Sequence, residues 1–284
     1  MRVIMLGTAQ DGGVPHVACH CPTCTDARRN PLHQRFAPSL GIVDDHGGGM
    51  YMIDASPDFN RQLEMLQQAA GDLRGKGRLP VDGIFLTHAH FGHYWGLGYL
   101  GKEACSPKEL PVYCSPDLKA FLLANRPFAD MVKWANLVLH EVAHLVPIPV
   151  GPGCSITPYA VEHRRDFTDT MGYILQGEQQ KLLYIPDMDD ITDDIVDLIH
   201  DVDVAIIDGC FYSGDELPGR NMKEVPHPFI PQSMDRLQAL VKTTEIVFTH
   251  FNHSNYAIRP NGPERLTVLG RGFGLAADGD EFVI

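Results

Sequence analysis

Three histidines lie within six positions of the segment "LTHAHFGHYWGL", in the order His88-x-His90-x-x-His93. Neutral imidazole is a good ligand for zinc and related metals, which need three or four such groups at about 2.0–2.1 Å. His88 and His90 would point to the same side of an extended backbone, because side chains alternate along a strand. We expect His93 to join them from the first turn of a following helix. The spacing therefore predicts a metal site.

More candidate ligands follow in the sequence: His163 in "AVEHRRD", Asp187 in "YIPDMDD" and His250 in "VFTHFNH". Taken singly, His163 could equally be a core or surface histidine. Asp187 could cap the helix predicted over "MDDITDDIVDLIH". Taken together with the histidine cluster, the three residues make a ligand set of the right kind for a metal.

A second group of metal-binding residues is the run Cys19-x-Cys21-x-x-Cys24. Three thiolates in six residues can surround one tetrahedral zinc ion if a fourth ligand is supplied, and His16 or His20 could supply it locally. A redox-active cysteine cluster is the alternative interpretation. Seven cysteines, three of them crowded together, are not typical of a disulfide framework, so we expect a cytoplasmic protein.

Short apolar and β-branched runs bounded by turn formers predict the strands that must position these residues. The strands are predicted at Arg2–Gly7, Ser39–Asp44, Met50–Ala55, Gly83–His88, Pro111–Cys114, Ser155–Val161, Met171–Gly177, Lys181–Asp187, Val202–Asp208 and Glu245–His250. Because the pair at 171–177 and 181–187 has hairpin spacing, a purely parallel sheet is disfavoured. Two packed sheets with helices on their outer faces fit better. Four residues that could bind metal or transfer protons stand at the C-terminal ends of predicted strands: His88, Asp187, Asp208 and His250. Strand ends that meet at one edge of a sheet would bring these side chains together.

Helices are predicted at Ser56–Gly71, Ser115–Asn125 and Pro231–Lys242. Ser56 is the expected N-cap of the first helix, with Pro57 at its first position. The second helix repeats the Ser-Pro start. Helices and strands thus alternate along the chain without a linker that would divide it.

The composition argues against several classes of partner. With 23 Lys+Arg against 36 Asp+Glu, the formal charge of −13 disfavours a nucleic-acid partner. The sequence has neither a signal peptide nor an apolar run of the roughly 20 residues that cross a membrane. We therefore expect a small-molecule substrate and no membrane association. The sequence leaves a homodimer open.

The order of these motifs resembles the metallo-β-lactamase superfamily over nearly the whole chain. The resemblance implies an αββα sandwich, that is, an α/β (α+β) fold of two mixed β-sheets flanked by helices. It implies that His88, His90 and His163 hold a first metal and that His93 and His250 hold a second. Asp187 would bridge the two metals. Asp54, in "YMIDAS", matches the family's buried aspartate that braces the histidine loop.

One position departs from the superfamily motif: Gly92 stands where the family usually carries an aspartate ligand of the second metal. That site would then be weaker, empty, or completed by water or another acid. Asp11 and Asp58 are conceivable donors, although their spacing supports neither.

Two branches of the superfamily have a similar Cys-x-Cys-x-x-Cys insertion after the first strand. They are the phosphoribosyl cyclic phosphodiesterase of phosphonate breakdown and the pyrroloquinoline-quinone (PQQ) biosynthesis B protein. In the phosphodiesterase a T-H-x-x-H motif serves both metal sites, and "THFNH" here implies that His253 completes the cysteine zinc site. The stretches "AQDGGVPH", "DASPD", "DGCFY" and "GLAADGDEF" resemble the quinone branch.

These features predict one metallo-β-lactamase-like domain over residues 1–284, with a zinc-knuckle insertion at about residues 16–25. The predicted function is hydrolysis of a small ester, lactone or phosphodiester by a metal-bound hydroxide. Asp187 would orient the hydroxide, and His250 is the second predicted catalytic residue. We expect one structural zinc and one or two catalytic zinc ions, with iron or manganese as alternatives. An iron-dependent oxygenase of the quinone-biosynthesis type and a non-catalytic metal-binding protein remain the other hypotheses.

Overall fold

The computed structural model describes residues 1–71 and 79–284, whose strands form two seven-stranded β-sheets. The strands, in chain order, are β1 Arg2–Gly7, β2 Ser39–Val43, β3 Met50–Ile53, β4 Gly83–Phe85, β5 Leu110–Cys114, β6 Leu137–Glu141, β7 Ile148–Gly151, β8 Cys154–Val161, β9 Thr170–Gln176, β10 Lys181–Ile185, β11 Val204–Asp208, β12 Glu245–Thr249, β13 Gly274–Leu275 and β14 Glu281–Val283. The strand order is β14-β1-β2-β3-β4-β5-β6 in one sheet and β13-β12-β11-β10-β9-β8-β7 in the other.

Both sheets mix parallel and antiparallel pairs. In the second sheet β10, β11 and β12 are parallel neighbours. The predicted hairpin is confirmed, because β9 and β10 pair antiparallel with Gln176 opposite Lys181. Parallel pairing brings the carboxyl ends of β10, β11 and β12 to one edge, where the functional side chains collect.

Helices cover the outer faces of the sheets. They are α1 Pro22–Arg29, α2 Phe59–Ala70, α3 Phe91–Tyr94, α4 Pro116–Ala124, α5 Phe128–Lys133, α6 Asp193–His200, α7 Ile230–Leu237 and α8 Pro263–Gly270. Short 3₁₀ turns lie at Pro31–His33, Trp95–Leu100, Met222–Glu224, Leu240–Lys242 and Tyr256–Ile258. The predicted αββα sandwich, an α/β fold of two mixed sheets flanked by helices, is confirmed.

The helix predictions need two corrections. Ser56 is not the N-cap of α2: the helix begins two residues after Pro57, and Ser56 Oγ accepts a hydrogen bond from the Asp58 backbone N–H at 3.0 Å. The third predicted helix ends at Leu237, because the chain turns there into a separate 3₁₀ segment. The N-cap of α4 is as predicted, since Ser115 Oγ accepts from the Leu118 N–H at 3.1 Å.

The core has three layers of apolar contact. The central layer lies between the sheets, where Phe85 of β4 packs edge-on against Tyr173 of β9 at 5.7 Å between ring centroids. One outer layer includes Phe59 and Leu66 of α2, and the other includes Ile195 and Ile199 of α6. Burial of apolar surface on both faces of each sheet fixes the strands, and with them the positions of the strand ends.

Strands β3, β4, β10 and β12 each end one to three residues before the predicted boundary. The residues just beyond these ends leave the hydrogen-bonded ladder, which frees their side chains to turn toward the sheet edge. Asp54 and His250 accomplish this turn with left-handed backbones, at φ values of 65° and 61°. Within the described residues, no helix has both the length and the apolar character needed to cross a bilayer.

Candidate metal centre

The cysteine knuckle is a compact cluster of four donors whose ligand atoms lie within 4.8 Å of one another. Its members are Cys19, Cys21, Cys24 and His253. His253 Nδ1 lies 3.5 Å from Cys19 Sγ and 3.6 Å from Cys21 Sγ. Cys21 also caps α1, because its Sγ accepts from the Cys24 N–H. Of the two local alternatives for the fourth ligand, His16 lies beside His253 with its ring tilted at 41° and 4.7 Å between centroids, and His20 is exposed.

The first histidine group at the sheet edge consists of His88, His90 and His163, with ligand atoms within 4.8 Å of one another. His88 Nε2 lies 2.8 Å from His90 Nδ1. His163 follows the end of β8 and closes the group from the second sheet. The structure thus brings together the three residues that the resemblance assigned to one metal.

Neighbouring oxygen atoms orient two of these rings. His88 Nδ1 donates to Thr87 Oγ1 at 2.9 Å, and His163 Nδ1 donates to Asp189 Oδ1 at 3.0 Å. Each contact turns Nε2 toward the centre, as is usual for histidines that bind metals. Burial lowers the pKa of His88, of His163 and of His90, the last to about 4. All three rings are therefore neutral at pH 7, which is the state that binds metal.

Asp187 lies between the two halves of the site and is 2 % exposed. Its Oδ2 is 3.0 Å from both His93 Nε2 and His250 Nε2, and 3.7 Å from His88 Nε2. Its Oδ1 is 3.5 Å from His163 Nε2. One carboxylate thus contacts histidines of both predicted metal positions, which is the geometry that a bridging ligand requires.

His93 and His250 form the second half of the site. His93 comes from α3, as predicted, and its Nδ1 donates to Asp54 Oδ2 at 2.7 Å. Asp54 also accepts from the Thr87 N–H, so it fixes both the histidine loop and the His93 ring. Burial lowers the pKa of His93, but Asp54 and Asp187 outweigh burial and raise it to about 9. Burial lowers the pKa of His250, but Asp187 outweighs burial and raises that pKa well above the ordinary value.

Several buried nitrogen and oxygen atoms that face this centre make no well-aligned hydrogen bond among the described residues, although Asp187 Oδ2 lies 3.0 Å from two of the nitrogens. They are Nε2 of His90, His93, His163, His227 and His250, and Oδ2 of Asp187. Leaving one such atom unpaired costs about 1–3 kcal/mol, so a cluster of them indicates a missing partner. Nitrogen and carboxylate donors in this arrangement fit a divalent transition metal.

Asp11 is one of the two acids considered above as a donor to the second metal, although its spacing in the sequence did not support that role. It lies in the loop after β1, and its ligand atoms share a cluster with those of His93 and His250. Burial raises the pKa of Asp11, but His93 and His250 outweigh it, so that the net pKa is lowered. Asp58, the other conceivable donor, instead accepts a hydrogen bond from the Ala37 N–H at 2.9 Å.

His227 is a site residue that the sequence analysis missed. It lies before α7 and is buried, and its Nδ1 donates to Asp208 Oδ2 at 2.7 Å. The same nitrogen is 3.6 Å from Asp187 Oδ1. Burial lowers the pKa of His227, but Asp208 outweighs burial and raises it well above the ordinary value. The sequence signal that could have pointed to His227 was its partner Asp208. Asp208 ends the strand next to the one that precedes Asp187, but it had no assigned role.

The rim of the site is aromatic on one side. Phe167 is 61 % exposed, with its ring 6.4 Å from that of His90. Phe91, next to His90 in the chain, and Trp95 are also exposed, and their rings lie 5.3 Å apart in a tilted arrangement. His90 itself is partly exposed and is the first-group histidine nearest to solvent.

A sequence model of the beta-lactamase superfamily domain matches residues 50–251 of this chain. That span includes the histidine motif, His163, Asp187, His227 and His250. The chain belongs to the beta-lactamase superfamily, and its two sheets and histidine motif are those of the metallo-β-lactamase fold.

Within this superfamily the chain is similar to proteins named coenzyme PQQ synthesis protein B. It is 29 % identical to the Methylobacterium radiotolerans protein and 28 % identical to that of Methylobacterium sp., with 98 % of each chain covered. Among solved structures, Zn²⁺-bound PqqB from Methylobacterium extorquens matches with a TM-score of 0.85 at 23 % identity over both full chains. A diphosphatase of the PhnP family matches with a TM-score of 0.71 at 23 % identity, covering 99 % of this chain and 97 % of that one. The predicted branch of the superfamily is confirmed.

Proposed function

We propose that the protein is a metal-dependent hydrolase of a small phosphodiester. The proposal rests on one observation: buried imidazole and carboxylate donors converge around Asp187, and the buried His227 stands beside them, held by Asp208. Of the three predicted substrate classes, ester, lactone and phosphodiester, the last gains most from a proton donor. In an in-line displacement at phosphorus the alkoxide departs in the same step as the attack, whereas an ester or lactone first forms a tetrahedral intermediate.

In this proposal His88, His90 and His163 hold the first metal, and His93 and His250 contribute to the second. Asp187 contacts histidines of both groups and would fix the two metal positions relative to each other. A divalent metal bound to these donors supplies Lewis acidity and an activated water at neutral pH. Zinc is the metal that these donors favour, with manganese or iron as alternatives.

His227 would protonate the leaving group. Its Nδ1 is held by Asp208, and its Nε2 has no partner among the described residues, so the proton on Nε2 is available to a bound substrate. As the P–O bond breaks, that proton passes to the leaving oxygen, and the neutral imidazole remains hydrogen-bonded to Asp208. Asp208 stays in place because the Cys210 N–H donates to its Oδ1 at 2.8 Å.

The cysteine knuckle has a structural role in this proposal. Four protein ligands leave no open position, so zinc bound there would join the N-terminal loop to the segment after β12 without taking part in chemistry. Thiolate ligands persist in a reducing compartment, which supports a cytoplasmic location.

A second candidate function is favoured by the similarity to PQQ synthesis proteins. Similarity to coenzyme PQQ synthesis proteins over 98 % of the chain supports a step in the synthesis of that quinone. In that case iron would occupy the histidine site and oxygen would be consumed, as the oxygenase hypothesis states.

The decisive experiment compares the two reactions on the same preparations. Purified protein is loaded with zinc, manganese or iron and given bis(p-nitrophenyl) phosphate, while an oxygen electrode follows the iron-loaded sample. We expect phosphodiester hydrolysis without oxygen uptake. His88→Ala should lower hydrolysis by more than about a hundredfold, because it removes a direct ligand, and even partners of ligands are worth 10–100-fold.

Cys21→Ser is the comparison variant. It should lose knuckle zinc and keep most of the hydrolysis per folded molecule. Oxygen uptake by the iron form, with no hydrolysis by any metal form, would favour the quinone-synthesis reaction instead. Unchanged metal content in His88→Ala would contradict the ligand assignment itself.

A further inference from the structure

The Asp11 carboxylate occupies the space next to Gly92, where the superfamily motif would place an aspartate side chain. The Gly92 N–H donates to Asp11 Oδ1 at 2.7 Å. A Cβ added at Gly92 would lie 2.5 Å from Asp11 Cα and 2.8 Å from Asp11 Oδ1. Carbon atoms do not approach a neighbour's backbone that closely. A side chain at position 92 and Asp11 in its present position therefore exclude each other.

Asp11 is also aimed at the incomplete half of the metal centre. A carboxylate oxygen of Asp11 and ring nitrogens of His93 and His250 all lie within 4.8 Å of one another. Both histidines are at most 1 % exposed, and within residues 1–71 and 79–284 their Nε2 atoms make no well-aligned hydrogen bond, although each lies 3.0 Å from Asp187 Oδ2. Two imidazole nitrogens and a carboxylate that converge in this way are the donors of a metal site, and Asp187, in contact with both histidines, adds a fourth donor.

The backbone ties Asp11 to the segment that carries His250. The Phe251 N–H donates to Thr8 O, and the Gln10 N–H donates to Phe251 O, both at 2.9 Å. The Gly13 N–H then closes a turn on Gln10 O at 2.8 Å, with Asp11 inside the turn. Asp11 and His250 are therefore held at a fixed distance by the backbone, as two ligands of one ion need to be.

We propose that Asp11 is the carboxylate ligand of the second metal and that it replaces, from the loop after β1, the carboxylate that Gly92 lacks. The second metal position is then complete, with His93, His250, Asp187 and Asp11 as its protein donors. Gly92 leaves the space for Asp11, because any side chain at position 92 would displace it. The inference rests on the metal centre of the proposed function but is independent of the substrate and of the reaction.

The test is the metal content and metal affinity of Asp11→Asn. Asparagine has the same shape and can still accept the Gly92 N–H through its side-chain oxygen, so the fold should be kept. The full chain is stripped with a chelator, titrated with zinc and with cobalt, and the bound metal is counted by elemental analysis. We expect Asp11→Asn to bind one ion fewer than wild type at limiting metal, or to bind that ion at least about tenfold more weakly.

Two further variants separate a ligand from a nearby charge. Gly92→Ala changes no donor atom, yet its Cβ should displace Asp11 and cause the same loss of one ion. Asp58→Asn removes an acid of the same region whose carboxylate accepts a backbone N–H, and it should bind metal as wild type does. In both Asp11→Asn and Asp58→Asn, cobalt at the cysteine knuckle should keep its thiolate absorption.

The result that overturns the inference is an Asp11→Asn protein with wild-type metal count and affinity. A wild-type protein that takes up no second ion at the histidine centre, even with metal in excess, overturns it equally. These outcomes are distinct from a failure of the proposed function. If wild type hydrolyses no phosphodiester but Asp11→Asn loses one ion, the inference stands and the reaction is wrong. If hydrolysis depends on His88 while Asp11→Asn keeps every ion, the proposed reaction stands and the inference about Asp11 is wrong.

Discussion

Single residues beside the histidines decide which ring nitrogen faces the metal centre. Asp54 holds Nδ1 of His93, Asp189 holds Nδ1 of His163, and Thr87 accepts from His88. In each case Nε2 is left pointing inward. Such outer partners fix the tautomer and the direction of a ligand, so they matter to metal affinity although they do not touch the metal.

A leaving-group test at the residue scale addresses His227. Replacing it with glutamine removes the proposed proton donor while keeping a side chain of similar size. For a phosphodiester with an alkyl leaving group, we expect kcat to fall by roughly a hundredfold or more, since general acid catalysis is worth 10²–10⁴-fold. For p-nitrophenolate, which needs no proton to leave, kcat should change little. Steady-state rates on the two substrates measure the difference.

The control for this test is His200→Gln, which changes an exposed histidine at the end of α6. It should leave both rates unchanged. Equal losses on both substrates in His227→Gln would show that His227 supports the structure of the site and does not donate a proton.

At the scale of elements, the site depends on loops that leave strand ends sharply. Asp54 follows β3 and His250 follows β12, and both have positive φ, a conformation that costs non-glycine residues of order 1 kcal/mol or more. The parallel bridge between Ala9 and Phe251 then joins the loop after β1 to the loop after β12. Packing of the sheets on both faces offsets this strain and holds the donors in place.

The knuckle gives a stability prediction for the N-terminal loop. Cys21→Ser removes a thiolate ligand, while the serine hydroxyl can still cap α1, so bound zinc should fall and the free energy of unfolding should fall with it. Structural zinc contributes on the order of 10 kcal/mol in small zinc modules, and a loss of several kcal/mol is expected here. Denaturant titration and elemental analysis measure the two effects together.

Cys105→Ser is the matched control, because Cys105 is an exposed cysteine outside the knuckle. It should keep wild-type zinc content and stability. A fully metallated Cys21→Ser protein of unchanged stability would refute the structural role of the knuckle.

Glu216 connects the loops that follow β11 and β12 and gives the fold a pH dependence. Its Oε1 accepts from the backbone N–H groups of Tyr212, Ser213 and Tyr256 at 3.0–3.2 Å. Burial nevertheless raises its pKa to about 7. Between about pH 4.5 and pH 7, Glu216 is therefore protonated in the folded state and ionised in the unfolded chain, where its pKa has the ordinary value near 4.5. Stability should fall as the pH rises from about 4.5 to 7 and then level off.

The variant Glu216→Gln can still accept these hydrogen bonds and cannot ionise. Its unfolding free energy should lack this part of the pH dependence, which amounts to up to about 3 kcal/mol in the wild type. Urea titrations of both proteins at pH 5 and pH 8 measure the difference. Parallel pH profiles for the two proteins would contradict the prediction.

Over the whole molecule, spacing within the sequence predicted the ligands that lie near each other in the chain or at strand ends. The His-x-His-x-x-His motif, the cysteine run and the strands before Asp187 and His250 are local signals of this kind. The two-sheet sandwich also followed from the alternation of strands and helices with one hairpin. Edge strands β6, β7, β13 and β14 were missed because they are short or lack clear alternation.

Asp11 and His227 could not be placed from the sequence because their roles depend on contacts between distant segments. Asp11 reaches the site only because the loop after β1 pairs with Phe251. His227 lies in a stretch, 221–231, without a recognisable motif, and it is defined by its contact with Asp208. Gly92 looked like a defect for the same reason: the carboxylate that fills its space is 81 positions away in the sequence.

Diffraction at a metal absorption edge tests the central claim of a two-metal centre most directly. Crystals of the wild-type protein soaked in zinc should show one anomalous peak among His88, His90 and His163. A second should lie against His93, His250 and Asp11, with Asp187 between the two, and a third should lie in the knuckle. A single peak at the histidine centre, with Asp11 turned away from it, would contradict the account.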